Sequence, residues 1–217
     1  MLLTMVIGVA SMAAGCHRLN QISGSGNRQT QKREVASFNS ISTEGAFEIT
    51  VVCQQPLSLE IEGDDNILPL VGTDVSNNVL HIKNTSGYSV SKPIKLKIAV
   101  PDLESLSVNG AGLIEVTGLK NEKFKIDANG APTIRALGET KLVEIDANGA
   151  GKIDTHKLRA LRAVVDSKGV SSVDVRAADK LDVTISGPSH VTYEGNPVVN
   201  RTIHGPGTVE KKGPSGA

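Results

Sequence analysis

The sequence predicts an all-β fold, a β-solenoid of the parallel β-helix type with roughly 18–20 residues per coil and less regular opening coils. Three observations predict it. A phrase recurs: Ile126-Asp127-Ala128-Asn129-Gly130-Ala131 returns as Ile145-Asp146-Ala147-Asn148-Gly149-Ala150, with looser copies ending at Gly110, Gly169, Gly187 and Gly205. The successive glycines stand 20, 19, 20, 18 and 18 residues apart, a near-constant step that marks stacked supersecondary units. Within each copy apolar or small residues alternate with polar ones, as in a strand with one buried face: Ile126 and Ala128 against Asp127 and Asn129. Finally, aromatics make up only 2% of the chain and there is no Trp, which suits a narrow interior filled by layers of Ile, Val, Leu and Ala.

Residues 1–16 read as an export signal. Met1 to Ala14 is apolar or small, short for a membrane span, and runs into Ala13-Ala14-Gly15-Cys16. That ending is lipobox-like, with Cys16 as the lipidation site, although Ala13 stands where Leu is usual and no Lys or Arg precedes the apolar run. Residues 17–33, rich in Ser, Gly, Gln and Asn, read as a flexible linker. The folded domain is expected over 34–211, followed by a disordered tail at 212–217. If Cys16 carries lipid, Cys53 is left alone in a strand-like run, where a buried structural thiol is expected.

The opening of the domain is less regular. Phe47, Ile49 and Val51 alternate, as do Leu57, Leu59 and Ile61, and Gly45 and Gln54-Gln55-Pro56 mark turns. Asp64-Asp65-Asn66 ahead of Ile67 predicts a capped single helical turn, kept short by Pro69. Further strands are expected at Val79–Ile82 and over Ile94, Leu96, Ile98 and Val100. These segments read as opening coils that cap one end of the stack, or as a separate small β-domain. From Leu106 onward each glycine is expected to turn the chain, since Asn-Gly tolerates positive φ. A second alternating run then follows, such as Ile134 and Ala136 or Ile153 and Thr155.

Phe38-Asn39-Ser40-Ile41, leading to Gly45-Ala46-Phe47-Glu48-Ile49, and then Ile94 to Leu103 feeding Val108-Asn109-Gly110-Ala111-Gly112, resemble a bacterial family known as "putative auto-transporter adhesin, head GIN domain". The resemblance covers about residues 34 to 211 and is most specific at the recurring Asn-Gly-Ala-Gly. It implies an exported protein, often a lipoprotein, with a β-solenoid fold. No family activity transfers residue by residue.

Aligned coils place side chains in ladders about 4.8 Å apart. Asp127, Asp146 and Asp166 form one, and each pair of neighbours repels by about 0.9 kcal/mol even at water's dielectric. A Ca²⁺ site and a solvated face screened by Lys125 and Lys168 are the two readings, and a straight ladder favours the second. Asn109, Asn129 and Asn148, each followed by Gly110, Gly130 and Gly149, form a ladder whose role is structural. No His or Cys pair has metal-ligand spacing, and no cofactor motif is present. Formal net charge is zero, and a basic excess and aromatic interleaving for nucleic acid are both missing.

The expectation is therefore a non-enzymatic, adhesin-like envelope lipoprotein. It is anchored to the membrane, with outer-membrane placement, and meets polysaccharide or a surface protein through repetitive polar faces. A purely structural periplasmic domain is one alternative. The other is a carbohydrate-active enzyme, for which Arg135, Asp154 and Asp174 on one outward ladder are the candidates.

Overall fold

The computed structural model describes residues 21–213, so the readings on the export signal, on Cys16 and on the end of the tail lie outside the described residues. The chain is all-β: a single 3-10 turn at Leu68–Leu70 interrupts fourteen strands among the described residues. In order they are β1 (Ile22–Ser23), β2 (Arg28–Lys32), β3 (Ser40–Cys53), β4 (Ser58–Asp64), β5 (Val71–Ser76), β6 (Val79–Asn84), β7 (Tyr88–Ser89) and β8 (Ile94–Val100). Then come β9 (Ser105–Gly149), β10 (Lys152–Gly169), β11 (Ser172–Ser186), β12 (His190–Glu194), β13 (Val198–His204) and β14 (Thr208–Lys211). Twelve of them form one sheet that runs β14-β12-β11-β10-β9-β3-β8-β4-β2 and does not close.

From β9 onward the pairing is parallel and follows the sequence repeat. Ile153 lies beside Ile134 and Val173, and Val165 lies between Ile145 and Val183. Ile185 then pairs with Ile203. Straightened out, the 45 residues of β9 would extend about 150 Å. Instead the strand bends at its glycines and returns over itself, since the Asn129 amide donates to the Asn109 side-chain oxygen 3.1 Å away. Alternate residues point inward, and those from Phe38 to Val209 make one continuous apolar core. Where the inward column switches from Ala147 to Ser167, the buried hydroxyl is satisfied: Ser167 bonds Ser189 at 2.8 Å, and Ser189 donates to the Gly169 carbonyl.

The corners differ from the sequence expectation. Only the glycines adopt positive φ there; Asn109, Asn129 and Asn148 do not, so Asn-Gly is no hairpin turn in this chain. The strand continues through each corner, and the glycines stack. A Cβ on Gly130 would lie 2.3 Å from the Gly110 carbonyl oxygen, and one on Gly149 would lie 2.2 Å from that of Gly130. A true two-residue hairpin occurs at Asn77-Asn78, where both residues have positive φ between β5 and β6.

The opening half is not a set of parallel coils. β4 runs antiparallel to β8 and to β2, and β5 runs antiparallel to β6. It is no separate domain either, because β3 pairs with both β8 and β9 and shares the core. The stretch read as a linker contains β2, which closes this end of the sheet. Arg28 holds it there, 3.0 Å from Glu62 and 3.8 Å from the buried Asp64. The acidic residues before the 3-10 turn do not cap it with their side chains. The Asp64 carboxylate instead accepts from the Gly26 backbone N–H at 3.0 Å.

At the far end, β13 is the last strand over its face, and Arg201 occupies the column held below by Ile145, Val165 and Val183. An exposed charge in register with buried aliphatics, on the outermost described strand of this face, disfavours edge-to-edge pairing, since a copy stacking on it would bury an unpaired guanidinium. Arg201→Val should therefore give concentration-dependent association in sedimentation velocity, with the parent chain unchanged over the same range. Gly130→Ala, strained at φ +112 and clashing with backbone, should cost about 3 kcal/mol or more in urea unfolding. Gly87→Ala, in open space, should stay within about 0.5 kcal/mol.

Candidate functional site

Two outward faces flank the glycine corner. On the first, Asp146 pairs in register with Asp166, which pairs with Thr184 and onward to Thr202. Lys125 bridges the lower carboxylates, its Nζ 3.1 Å from Asp127 and 3.2 Å from Asp146. Lys168 sits 3.1 Å from Asp166, and Lys180 sits 2.7 Å from Asp182. The three carboxylates predicted as a ladder are thus in line and screened by lysine. Among the described residues no group of three or more His, Cys, Asp or Glu is arranged to hold a metal ion. Partial burial pushes the Asp127 carboxyl above its ordinary range, with Asp146 adding to the shift and Lys125 opposing it. The asparagine ladder bonds to itself: Asn129 donates to Asn109 at 3.1 Å and Asn148 to Asn129 at 3.3 Å.

The second face follows the corner. Arg135, Asp154 and Asp174 are in register on three successive strand passes, as the repeat predicts. The register then breaks. β9 takes three residues from Arg135 to Gly138 while β10 takes four from Asp154 to Leu158, and against β11 the shift falls between Thr155 and Ala160. An extra residue in a strand makes a bulge, which bends the strand and re-aims its side chains. Here it swings His156 and Lys157 over the strand below and opens a groove of about 280 Å³, lined also by Glu115, Arg135, Leu137 and Asp154. Asp174 does not line it.

Within the groove Asp154 holds His156 twice, through the ring Nδ1 and through the backbone N–H at 3.3 Å. Partial burial raises the Asp154 carboxyl, but these hydrogen bonds outweigh it and leave the group below the usual carboxylate range. With Nδ1 committed to Asp154, Nε2 takes no hydrogen bond among the described residues. Sequence reasoning passed over His156 because it has no histidine partner. The signal was Asp154-Thr155-His156, since residues two apart share a strand face. Cys53 is buried, and burial, helped by Asp102, pushes its thiol up to about 12, so it is no nucleophile at neutral pH.

Over residues 37–197 the sequence matches the family described as "Putative auto-transporter adhesin, head GIN domain". The chain belongs to this family. Its fold is shared with a crystal structure of a "putative adhesin" from Bacteroides fragilis, at 22% identity and a TM-score of 0.71, covering 88% of this chain and all (100%) of that one. A "putative adhesin" from Parabacteroides merdae has 19% identity and a TM-score of 0.58 over 89% of this chain and 99% of its own. A "putative lipid binding protein" from Parabacteroides distasonis has 18% identity and a TM-score of 0.52 over 89% and 100%. At such identities the likeness is one of fold. No curated protein matches the chain.

The two faces should titrate in opposite directions. Asp127 has a raised folded pKa, so its stability contribution is best at low pH and is lost as pH rises through that value. Asp154 has a lowered one, so its contribution is present above the unfolded pKa and is lost as pH falls through the folded value. In thermal melts Asp127→Asn should raise the midpoint at pH 7 and Asp154→Asn should lower it. Both differences should narrow as the carboxyls are protonated at acid pH, and solvent screening keeps both small.

Proposed function

We propose that this GIN-family chain is an exported, lipid-anchored β-solenoid of the cell envelope that acts as a non-enzymatic adhesin toward polysaccharide. The observation that carries the reading is the in-register repetition of polar columns on exposed faces, Asp146 over Asp166 and Asn129 over Asn148 among them. A repetitive face meets a repetitive polymer with the same weak contact made at each rung, and tethered contacts multiply into avidity. The parallel pairing at the repeat step supports the solenoid, and the family description supports the adhesin. In this reading the mature chain begins at Cys16, whose lipid holds it at the outer membrane.

A polysaccharide array probed with the protein, with and without Ca²⁺, tests the binding role while product release is followed in parallel. Retention without new reducing or unsaturated ends is the expected outcome. Ca²⁺-dependent cleavage products would replace this reading with a lyase. Silence in both channels would remove polysaccharide as the partner. For the anchor, labelled palmitate should enter the chain in cells and should be lost in Cys16→Ser.

A further inference from the structure

The groove beside the bulge differs in its chemistry from the face that carries the Asp ladder. On the first face each lysine of the Asp ladder is committed to a carboxylate. Around the groove, neither Arg135 nor Lys157 takes part in an ion pair or side-chain hydrogen bond among the described residues, although both line the same cavity. The reason is local. Asp154, the carboxylate in register beside Arg135, is already taken by His156. The bulge then carries Lys157 to the rim on a strand pass that would otherwise continue the ladder.

We propose that this groove binds a carboxylate-bearing sugar unit of an acidic polysaccharide, deepening the adhesin reading on which it rests. Arg135 presents a planar fork that suits a carboxylate bidentately, and Lys157 adds a second cation. The neighbouring groups argue for a sugar acid over a bare anion. Glu115 and Asp154 accept hydrogen bonds and repel a second negative charge, whereas ring hydroxyls donate to them. The Nε2 of His156 completes a set with both donors and acceptors. Leu137 offers a small apolar surface to a ring C–H face. A volume of about 280 Å³ lies just under the range of roughly 300–1,000 Å³ typical of small-molecule sites, which fits one sugar ring with its chain running on along the face. Selection works through charge here, since no aromatic side chain lines the groove.

The test is a calorimetric titration of the full chain with oligogalacturonate, with a neutral galactose oligomer of the same length, and with inorganic phosphate. Arg135→Ala, Lys157→Ala and, on β6, the exposed Lys83→Ala serve as variants. The expected result is binding of the oligogalacturonate alone, weakened at least tenfold by Arg135→Ala, weakened less by Lys157→Ala and unmoved by Lys83→Ala. Arg135 is exposed, so its loss should leave the thermal midpoint unchanged and a folding defect would be visible separately. Equal binding of phosphate would overturn the sugar assignment. Oligogalacturonate binding indifferent to Arg135→Ala would overturn the site. Binding of the neutral oligomer with no binding of the acidic one would sink this inference and leave the adhesin reading standing, whereas an array without any retained glycan would sink that reading itself.

Discussion

The strand passes that stack at Gly110, Gly130, Gly149 and Gly169 are limited by the room at one corner. Strand passes in parallel register sit at hydrogen-bonding distance, and where the chain bends between two faces the backbone of one pass lies directly on the carbonyl of the next. At Gly130 and Gly149 even a methyl group would lie well inside van der Waals contact. A β-branched or bulky residue there would have to lift one coil off its neighbour and break ladder hydrogen bonds on both sides. The glycine step thus sets the length of each strand pass, that length sets the register, and the register decides which side chains become neighbours.

Once like is stacked on like, each outward column needs its own answer to the repetition. Asparagine answers it internally, because an amide both donates and accepts, so Asn109, Asn129 and Asn148 chain together. Aspartate cannot, since carboxylates only accept and repel each other, and the solution is a lysine two residues away on the same strand face. These columns are regular and lysine screens them, although the buried Oδ1 of Asp166 has no hydrogen-bond partner among the described residues. The groove at His156 differs because the register fails there. One extra residue lies in β10 between Asp154 and Leu158, and there Arg135 and Lys157 line a groove beside a carboxylate already committed to His156.

A stack of this kind also has ends, and the two are finished differently. One is sealed by antiparallel strands, with β2 pinned through Arg28 to Glu62 and Asp64. The other stops at a strand where the exposed Arg201 stands in register with buried aliphatic residues. Antiparallel pairing consumes backbone donors and acceptors, whereas a charge in that column makes their further use unfavourable. Both devices disfavour further pairing at the ends of the described sheet.

The sequence by itself determined the all-β class, the coil step and the order of side chains along each ladder. All three follow from a period-2 alternation and a periodic glycine, which are local properties of the chain. Arg135, Asp154 and Asp174 could be aligned from the repeat alone, as could Asp127, Asp146 and Asp166. The tertiary structure decided what the repeat does not encode. It made Asn-Gly a continuous corner instead of a hairpin, because stacking on the neighbouring coil outweighs the local turn preference. It set β4 antiparallel to β8 and to β2, and β5 antiparallel to β6, within an otherwise parallel opening, and recruited β2 from a stretch whose composition reads as linker. It placed the bulge at His156, since a one-residue excess is visible only when two coils are laid against each other. The groove exists only through that comparison between strands, so no single stretch of sequence carries it.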